Sequence, residues 1–443
     1  MTYDLTTGKP GSVLLKFSVP LFISAVFQQM YSMADSIIAG KFAGENALAA
    51  VGASFPITMV FMAIAFGCNI GCSVVISRLF GAKRLEDMKT AISTTLIASL
   101  AVSAILTLLG LAFTKSLMRM VNTPENIFAD GALYLRVYIG GFVFLFLYNI
   151  CTGVFTSLGN SKTPLYFLIG SSIGNVFLDW LFVAVFEMGV AGVAWATFIA
   201  QGIACVLSAV LLLVQLRYIK TGSYAKFSFA ELGRIGVIAV PSILQQSCIS
   251  VGNILIQGLI NSYGSAVIAG TSAAFKLNIF ATTSFTTLSN GMSSFASQNI
   301  GAQKFDRVKK GFQSGVIMVL VLSAAFSAVY FFFPEQLIGL FLRDSAGSEA
   351  LQTGVSFLRI VCPAYFFVSV KILTDGILRG GGAMAQFMIA TFADLALRVI
   401  LAFCLNPVYG ATGIWCSWPV GWILACVLSV VFYATGNWKK HQI

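Results

Sequence analysis

Seven ionisable residues lie deep inside apolar stretches of this sequence: Asp35, Asp179, Asp375, Asp394, Lys276, Lys371 and Arg398. In hydrocarbon such a group costs several kcal/mol unless it is paired, protonated or put to use. Lys371 and Asp375 are four residues apart, as are Asp394 and Arg398, a spacing that joins side chains on one helix face. These two pairs are expected to neutralise themselves. Asp35 and Asp179 have no such partner in the sequence; their nearest bases are Lys16 and Lys41, and Lys162 and Arg217. A buried carboxylate without a base takes up a proton or binds a cation. Hard cations favour oxygen ligands, and the sequence supplies them. Asn175 lies one turn before Asp179, and Thr197 falls in the following GVAWATF stretch. Asp35, Asn175, Asp179 and Thr197 thus form a candidate site for Na+ or a proton. The competing reading is two protonated, hydrogen-bonded acids with no further role. Lys276 stands apart, awaiting either an unplaced acid or anionic or zwitterionic cargo.

Such residues need elements that carry them through lipid. Hydrophobic residues make up 58% of the 443 and charged residues 10%, against roughly a quarter charged in soluble domains. Too little charge remains to cover a soluble surface, whereas a bilayer accepts an apolar exterior. With about 20 apolar residues needed per crossing, twelve spans are predicted, near 14–40, 47–77, 91–113, 131–158, 163–186, 190–216, 232–260, 266–297, 311–333, 353–379, 384–405 and 411–435. Lysine and arginine crowd alternate loops, as at Arg78–Lys89, Arg217–Arg234 and Lys304–Lys310. The opposite loops hold only Lys41, Lys115, Arg119 and Arg343. Basic loops stay in the cytoplasm, so both termini are expected there, in a bacterial cytoplasmic (inner) membrane. The net charge of +11 is then a topology signal, and no nucleic-acid partner is expected. No cleavable leader is expected, because the first apolar stretch is long and holds Asp35. The nine cysteines read as free thiols, no metal cluster is expected, and His441 falls in the polar tail. With no intramembrane histidine and no HExxH, GxSxG or Walker pattern, the chain is not expected to be an enzyme, and no cofactor is expected beyond a coupling ion.

The second half repeats the first. At a shift of 220, Gly71, Ser73, Ser77 and Gly81 fall on Gly291, Ser293, Ser297 and Gly301. At 223, Gly153 and Gly159 fall on Gly376 and Gly382, while Asn175 falls on Arg398. Gly189 and Gly192 meet Gly410 and Gly413. Six spans per half keep both halves in the same orientation. The expected fold is all-α and membrane-integral, with twelve transmembrane helices in two pseudo-symmetric six-helix lobes. The N-lobe is 1–216, the interlobe linker 217–231 and the C-lobe 232–443.

The strings QQMYSMADSIIAGKFAG, ISRLFGAKRLEDMK, ASQNIGAQKFDRVKK, GVFTSLGNSKTP and GILRGGGAM resemble the multidrug and toxic compound extrusion (MATE) family over nearly the whole chain. The resemblance implies export of organic, often cationic, compounds against inward Na+ or H+. It implies a cation site of Asp35, Asn175, Asp179 and Thr197, with a backbone carbonyl near Val193 as a further ligand. It departs on the seventh span, where no Asp or Glu occurs between Glu231 and Asp306; coupling is therefore expected in the N-lobe, and the DinF-like branch fits better than the NorM-like one. An amphipathic cavity is expected, lined by Gln28, Gln29, Tyr31, Met33, Tyr138, Tyr148 and Asn149 from the N-lobe and by Gln245, Gln246, Asn253, Lys276 and Asn278 from the C-lobe. Pro20, Gly40 and Gly44 are expected bending points of the first span. Partners are expected to be small amphipathic organic substrates and the lipid bilayer, with the monomer as the working unit. The runner-up is a flippase for a lipid-linked or polysaccharide precursor.

Overall fold

The computed structural model describes residues 4–38, 45–121, 123–342 and 348–439, with side chains described outside 34–49. Fourteen helices follow in order: α1 Pro10–Ile38, α2 Glu45–Gly81, α3 Leu85–Met120, α4 Glu125–Gly140, α5 Phe142–Ser157, α6 Lys162–Asp179, α7 Gly189–Tyr218, α8 Phe229–Asn261, α9 Ser265–Gly301, α10 Phe305–Phe332, α11 Pro334–Gly339, α12 Ser348–Val361, α13 Tyr365–Gly380 and α14 Met384–Ala434. No strand occurs among the described residues.

Length and apolarity alone mark nine membrane crossings among the described residues, and the pair α4–α5, bent by 45° at Gly141, makes a tenth. The 51 residues of α14 are two crossings, because Gly410 (φ 60, ψ −147) breaks the helix. Helix α9 is long enough to cross but rich in Ser, Thr and Asn. With it the fold has twelve crossings. Several predicted boundaries are corrected. The fourth span begins at Glu125 and breaks at Gly141. The fifth ends in a π-helical turn, Trp180–Val185. The tenth is interrupted by a 3-10 turn, Cys362–Ala364, where Pro363 removes a backbone donor.

Contacts divide the chain into two units, one of 19–243 and one of 5–18 with 244–443. The divisions fall inside α1 and α8, beside Pro20 and Pro241.

Each unit is held by a seam of small and polar residues. With no hydrophobic drive between helices in lipid, close backbone approach and interhelical hydrogen bonds do this work. In the first unit α2 packs on α5. Asn69 Nδ2 donates to the Asn149 carbonyl (2.6 Å) and Ser77 Oγ to the Ser157 carbonyl (3.2 Å). In the second unit α9 packs on α13 in the same way, and Ser297 Oγ donates to the Gly380 carbonyl (3.1 Å). Gly153 and Gly376 permit both approaches: an added Cβ would lie 2.7 Å from Ser73 Oγ in the one and 2.5 Å from the Ser289 carbonyl oxygen in the other. The repeated residues Ser77 and Gly153, with Ser297 and Gly376, form these seams, whereas Gly71 and Gly291 face Ala239 of α8 and Ser18 of α1.

Away from the seams the units differ. The second unit holds an aromatic core of Phe275, Phe285, Phe357, Tyr365, Trp415, Trp418 and Trp422, mostly in edge-to-face contacts. The second unit also binds the start of the chain. Gln298 Oε1 accepts the Leu5 N–H (3.0 Å), Asn299 Nδ2 donates to the Leu5 carbonyl (3.2 Å), and Lys304 Nζ donates to the Thr6 carbonyl (2.9 Å). Arg307 donates to the carbonyls of Leu5, Thr7 and Gly8. Leu5, Leu14 and Phe17 are buried there.

Candidate functional site

Asp179 closes the regular part of α6 and begins the π-helical turn, a wide-turn geometry frequent at functional sites. Its side chain is 0% exposed and that of Asn175, one turn earlier, 2%. Neither amide atom of Asn175 has a hydrogen-bond partner among the described residues, so a ligand-grade oxygen is held out of water beside a carboxylate.

The π-helical turn ties α6 to α7. Gly192 lets them touch: a Cβ there would lie 3.0 Å from Val183 Cγ2 and 3.1 Å from the Phe182 carbonyl carbon. Val193 and Val183 share a small core against which Tyr134 packs. Tyr134 stacks on Tyr138 at 6.3 Å. Both tyrosines line a cleft with Leu145, Ala194, Thr197, Phe198 and Gln201. Its internal space is about 20 Å³. A space of roughly 10–15 Å³ holds a water, so this mainly apolar cleft has room for one; neither Asn175 nor Asp179 lines it. Through shared neighbours the fold brings Asp179, Val193, Thr197 and Tyr138 into one region of the first unit. The side chain of Asp35, on α1, lies outside the described residues, as do Gly40 and Gly44.

Sequence reasoning missed Gln201. Its Oε1 is buried with no hydrogen-bond partner among the described residues, and it stands one helical turn after Thr197 on the cleft wall. That i,i+4 spacing was the available signal.

The cavity candidates scatter. Gln28, Met33 and Asn253 are exposed; Gln29, Tyr31, Tyr148 and Gln246 are half-buried, and Gln245 is buried. Asn149 turns its Nδ2 back to the Leu145 carbonyl (2.8 Å). Asn278 is buried in the core of the second unit, where its Oδ1 accepts from Tyr365 Oη (3.1 Å); a packed position offers no wall to an open cavity. Lys276 also differs from expectation. It is exposed, it covers the ring of Phe341 at 5.6 Å, and no carboxylate pairs with it among the described residues.

The expected ion pairs of the second half form. Lys371 meets Asp375 at 2.7 Å and Arg398 meets Asp394 at 3.0 Å, all four side chains buried. Ser429 Oγ donates to Asp375 Oδ1 (2.9 Å). A third buried base, Arg379, was not anticipated. It donates to Ser289 Oγ (3.1 Å) and Asn290 Oδ1 (3.2 Å) and lies over the Phe387 ring. It continues the one-turn spacing of Lys371 and Asp375 and is the last residue of the predicted tenth span, 353–379.

Known proteins share this architecture. An outward-facing multidrug resistance MATE family transporter of the MOP superfamily superposes with a TM-score of 0.92 over 100% of both chains, at 22% identity. The chain is 28% identical to the Probable multidrug resistance protein YpnP of Bacillus subtilis (strain 168), over 100% of this chain and 98% of that one. It is equally similar (28%) to the Probable multidrug resistance protein YoeA of the same organism, over 96% and 94%. The MatE family profile matches twice, over residues 20–181 and 241–404, each match opening at one of the prolines, Pro20 and Pro241, beside which the chain passes between its units. A profile met once in each half of a twelve-crossing helical protein matches both the repeat and the fold, and the chain belongs to the MATE family.

Proposed function

We propose that this chain is a secondary antiporter that exports small amphipathic organic compounds, often cationic, in exchange for Na+ or H+. The carrying observation is the pair Asn175 and Asp179, one turn apart on α6 and shut away from water. In this reading Asp35, Asn175, Asp179, Thr197 and the carbonyl near Val193 hold the ion, with no cofactor besides it. Names of relatives as multidrug resistance proteins support export as the activity, and transport rather than catalysis.

Filling or emptying the ion site would reshape α1 and the π-helical turn, and so bias the N-lobe (1–216) and the C-lobe (232–443), joined by 217–231, between inward and outward openings. Ion and cargo need only favour different states. An inside-negative potential adds about 2.3 kcal/mol per charge per 100 mV to inward cation flow. The distribution of basic loops supports cytoplasmic termini in a bacterial inner membrane, and in this reading the monomer is the working unit. The absence of an acid from the seventh span fits a DinF-like placing. A flippase needs free bases for pyrophosphate, and two of its three candidates, Lys371 and Arg398, are neutralised in ion pairs.

Dye efflux from proteoliposomes, with sodium and pH gradients imposed separately, tests the proposal. The protein should respond to one gradient or both, and Asp35→Asn and Asp179→Asn should each abolish that response. Intact cation-driven efflux in Asp179→Asn overturns it.

A further inference from the structure

The two family matches end at 181 and 404, an offset of 223 that sets Asn175 on Arg398. Beyond Gly189 and Gly410 the offset is 221, which sets Ala194, Thr197 and Gln201 on Trp415, Trp418 and Trp422. The cleft of the first unit is lined by these three small or flexible residues. At the equivalent place in the second unit stand three indoles. Trp418 and Trp422 meet edge to face at 5.6 Å, and Phe357 closes on Trp415 and Trp418. The guanidinium of Arg398 lies over Trp418 at 4.8 Å and reaches Asp394 at 3.0 Å. Room for that carboxylate comes from Gly421, where a Cβ would lie 2.6 Å from Asp394 Oδ1.

We propose that the C-lobe contains the counterpart of the N-lobe cation site, permanently filled by the guanidinium of Arg398. What the N-lobe takes from solution, the C-lobe carries on its own chain. The ligands correspond in kind. An acid one helical turn from the shared position supplies the charge, Asp179 after Asn175 in the one lobe and Asp394 before Arg398 in the other. The wall positions that leave a cleft in the N-lobe, Ala194, Thr197 and Gln201, are in the C-lobe three indoles, a surface that attracts a guanidinium. Other charges face this region from α13, which packs against α14. Lys371 is engaged by Asp375 and donates to Thr391 Oγ1 (3.3 Å), and Arg379 is engaged by Ser289 and Asn290. With Arg398 in place, no mobile cation is called for in this lobe. The consequence is that one lobe exchanges the coupling ion and the other does not.

The proposal rests on the N-lobe ion site, and its test separates the two. The full chain carrying Asp179→Asn serves as the parent, in lipid nanodiscs. Its melting temperature is measured on moving from sodium-free alkaline buffer to saturating Na+ or to acid. Arg398→Ala in that parent should gain a cation-dependent rise of a few degrees, whereas Arg398→Lys, which keeps a tethered cation, should gain none. If Arg398→Ala does not fold, Arg398→Gln is measured in its place and read the same way. No gain over the parent, or an equal gain in Arg398→Lys, overturns the proposal. A parent that itself still responds to cation overturns the N-lobe reading instead, and the increment from Arg398→Ala then decides this one alone.

Discussion

Burying an amide with no hydrogen bond to either end is unfavourable, and among the described residues Asn175 is such an amide. Each orphaned polar group costs about 1–3 kcal/mol, a cost that sites of function tolerate. Asn175→Leu, similar in volume and free of polar atoms, should therefore raise the stability of the ion-free protein by about 1–3 kcal/mol. The same variant should lose cation-dependent efflux. Thermal melting in sodium-free buffer and efflux in proteoliposomes check the two halves; a destabilised variant with intact coupling would count against the site. At this scale, spacing in the sequence revealed a good deal. The pairs Lys371–Asp375 and Asp394–Arg398 are local, so an i,i+4 interval suffices to find them. The direction of a lone side chain is not local. Nothing in the residues around Asn278 says that it turns to Tyr365, and nothing around Lys276 says that it reaches outward over Phe341.

Among the elements, the seams carry the repeat. The serines of α2 and α9 donate to carbonyls of α5 and α13 because glycine on the facing helix brings the backbones within reach. Gly376→Val should push α13 off the Ser289 carbonyl, and Gly153→Val should push α5 off Ser73. Overpacking of this kind costs about 1–3 kcal/mol, here raised by the lost interhelical hydrogen bonds. Lower yield and a lower melting temperature are expected for both, with Gly376→Ala milder than Gly376→Val. The matching Ser and Gly positions were visible in the sequence at shifts of 220 and 223, although their partner helix was not. The breaks were harder to see. A π-helical turn differs from an α-helix by one residue in its hydrogen-bond ladder, and the run WLFVAV is apolar in either geometry. Gly141 bends a span that hydropathy alone treats as continuous, whereas Gly410 falls in the gap between the predicted spans 384–405 and 411–435.

On the scale of the whole molecule, the two repeats share a frame and differ in filling. The first unit leaves a small cleft beside buried oxygens; the second packs the same place with tryptophan and an internal ion pair. The sequence announced twelve crossings because each needs a long apolar run, and announced unequal halves because charge does not repeat. It did not announce that the first residues of the chain belong with the second unit, since that membership depends on contacts nearly three hundred positions apart. Arg307 donates to three carbonyls of that segment, and donors with full charge make the stronger hydrogen bonds. Arg307→Ala should lower the melting temperature of the protein while leaving its coupling ion unchanged, measured by thermal melting and by efflux under separate gradients. An Arg307→Ala protein as stable as the wild type would show the segment to be incidental.

The grip on Leu5–Gly8 also dictates an order of assembly. Synthesis delivers this segment some 290 to 300 residues before its binding partners, Gln298 to Arg307. The second unit is therefore assembled from segments on both sides of the first, and a fragment that begins at the interlobe linker lacks one of them. Throughout insertion of the intervening helices, Leu5, Leu14 and Phe17 wait for the surface that will bury them. Contacts of such long separation form slowly, so the docking of Leu5–Gly8 is expected to be a late event in the assembly of this transporter.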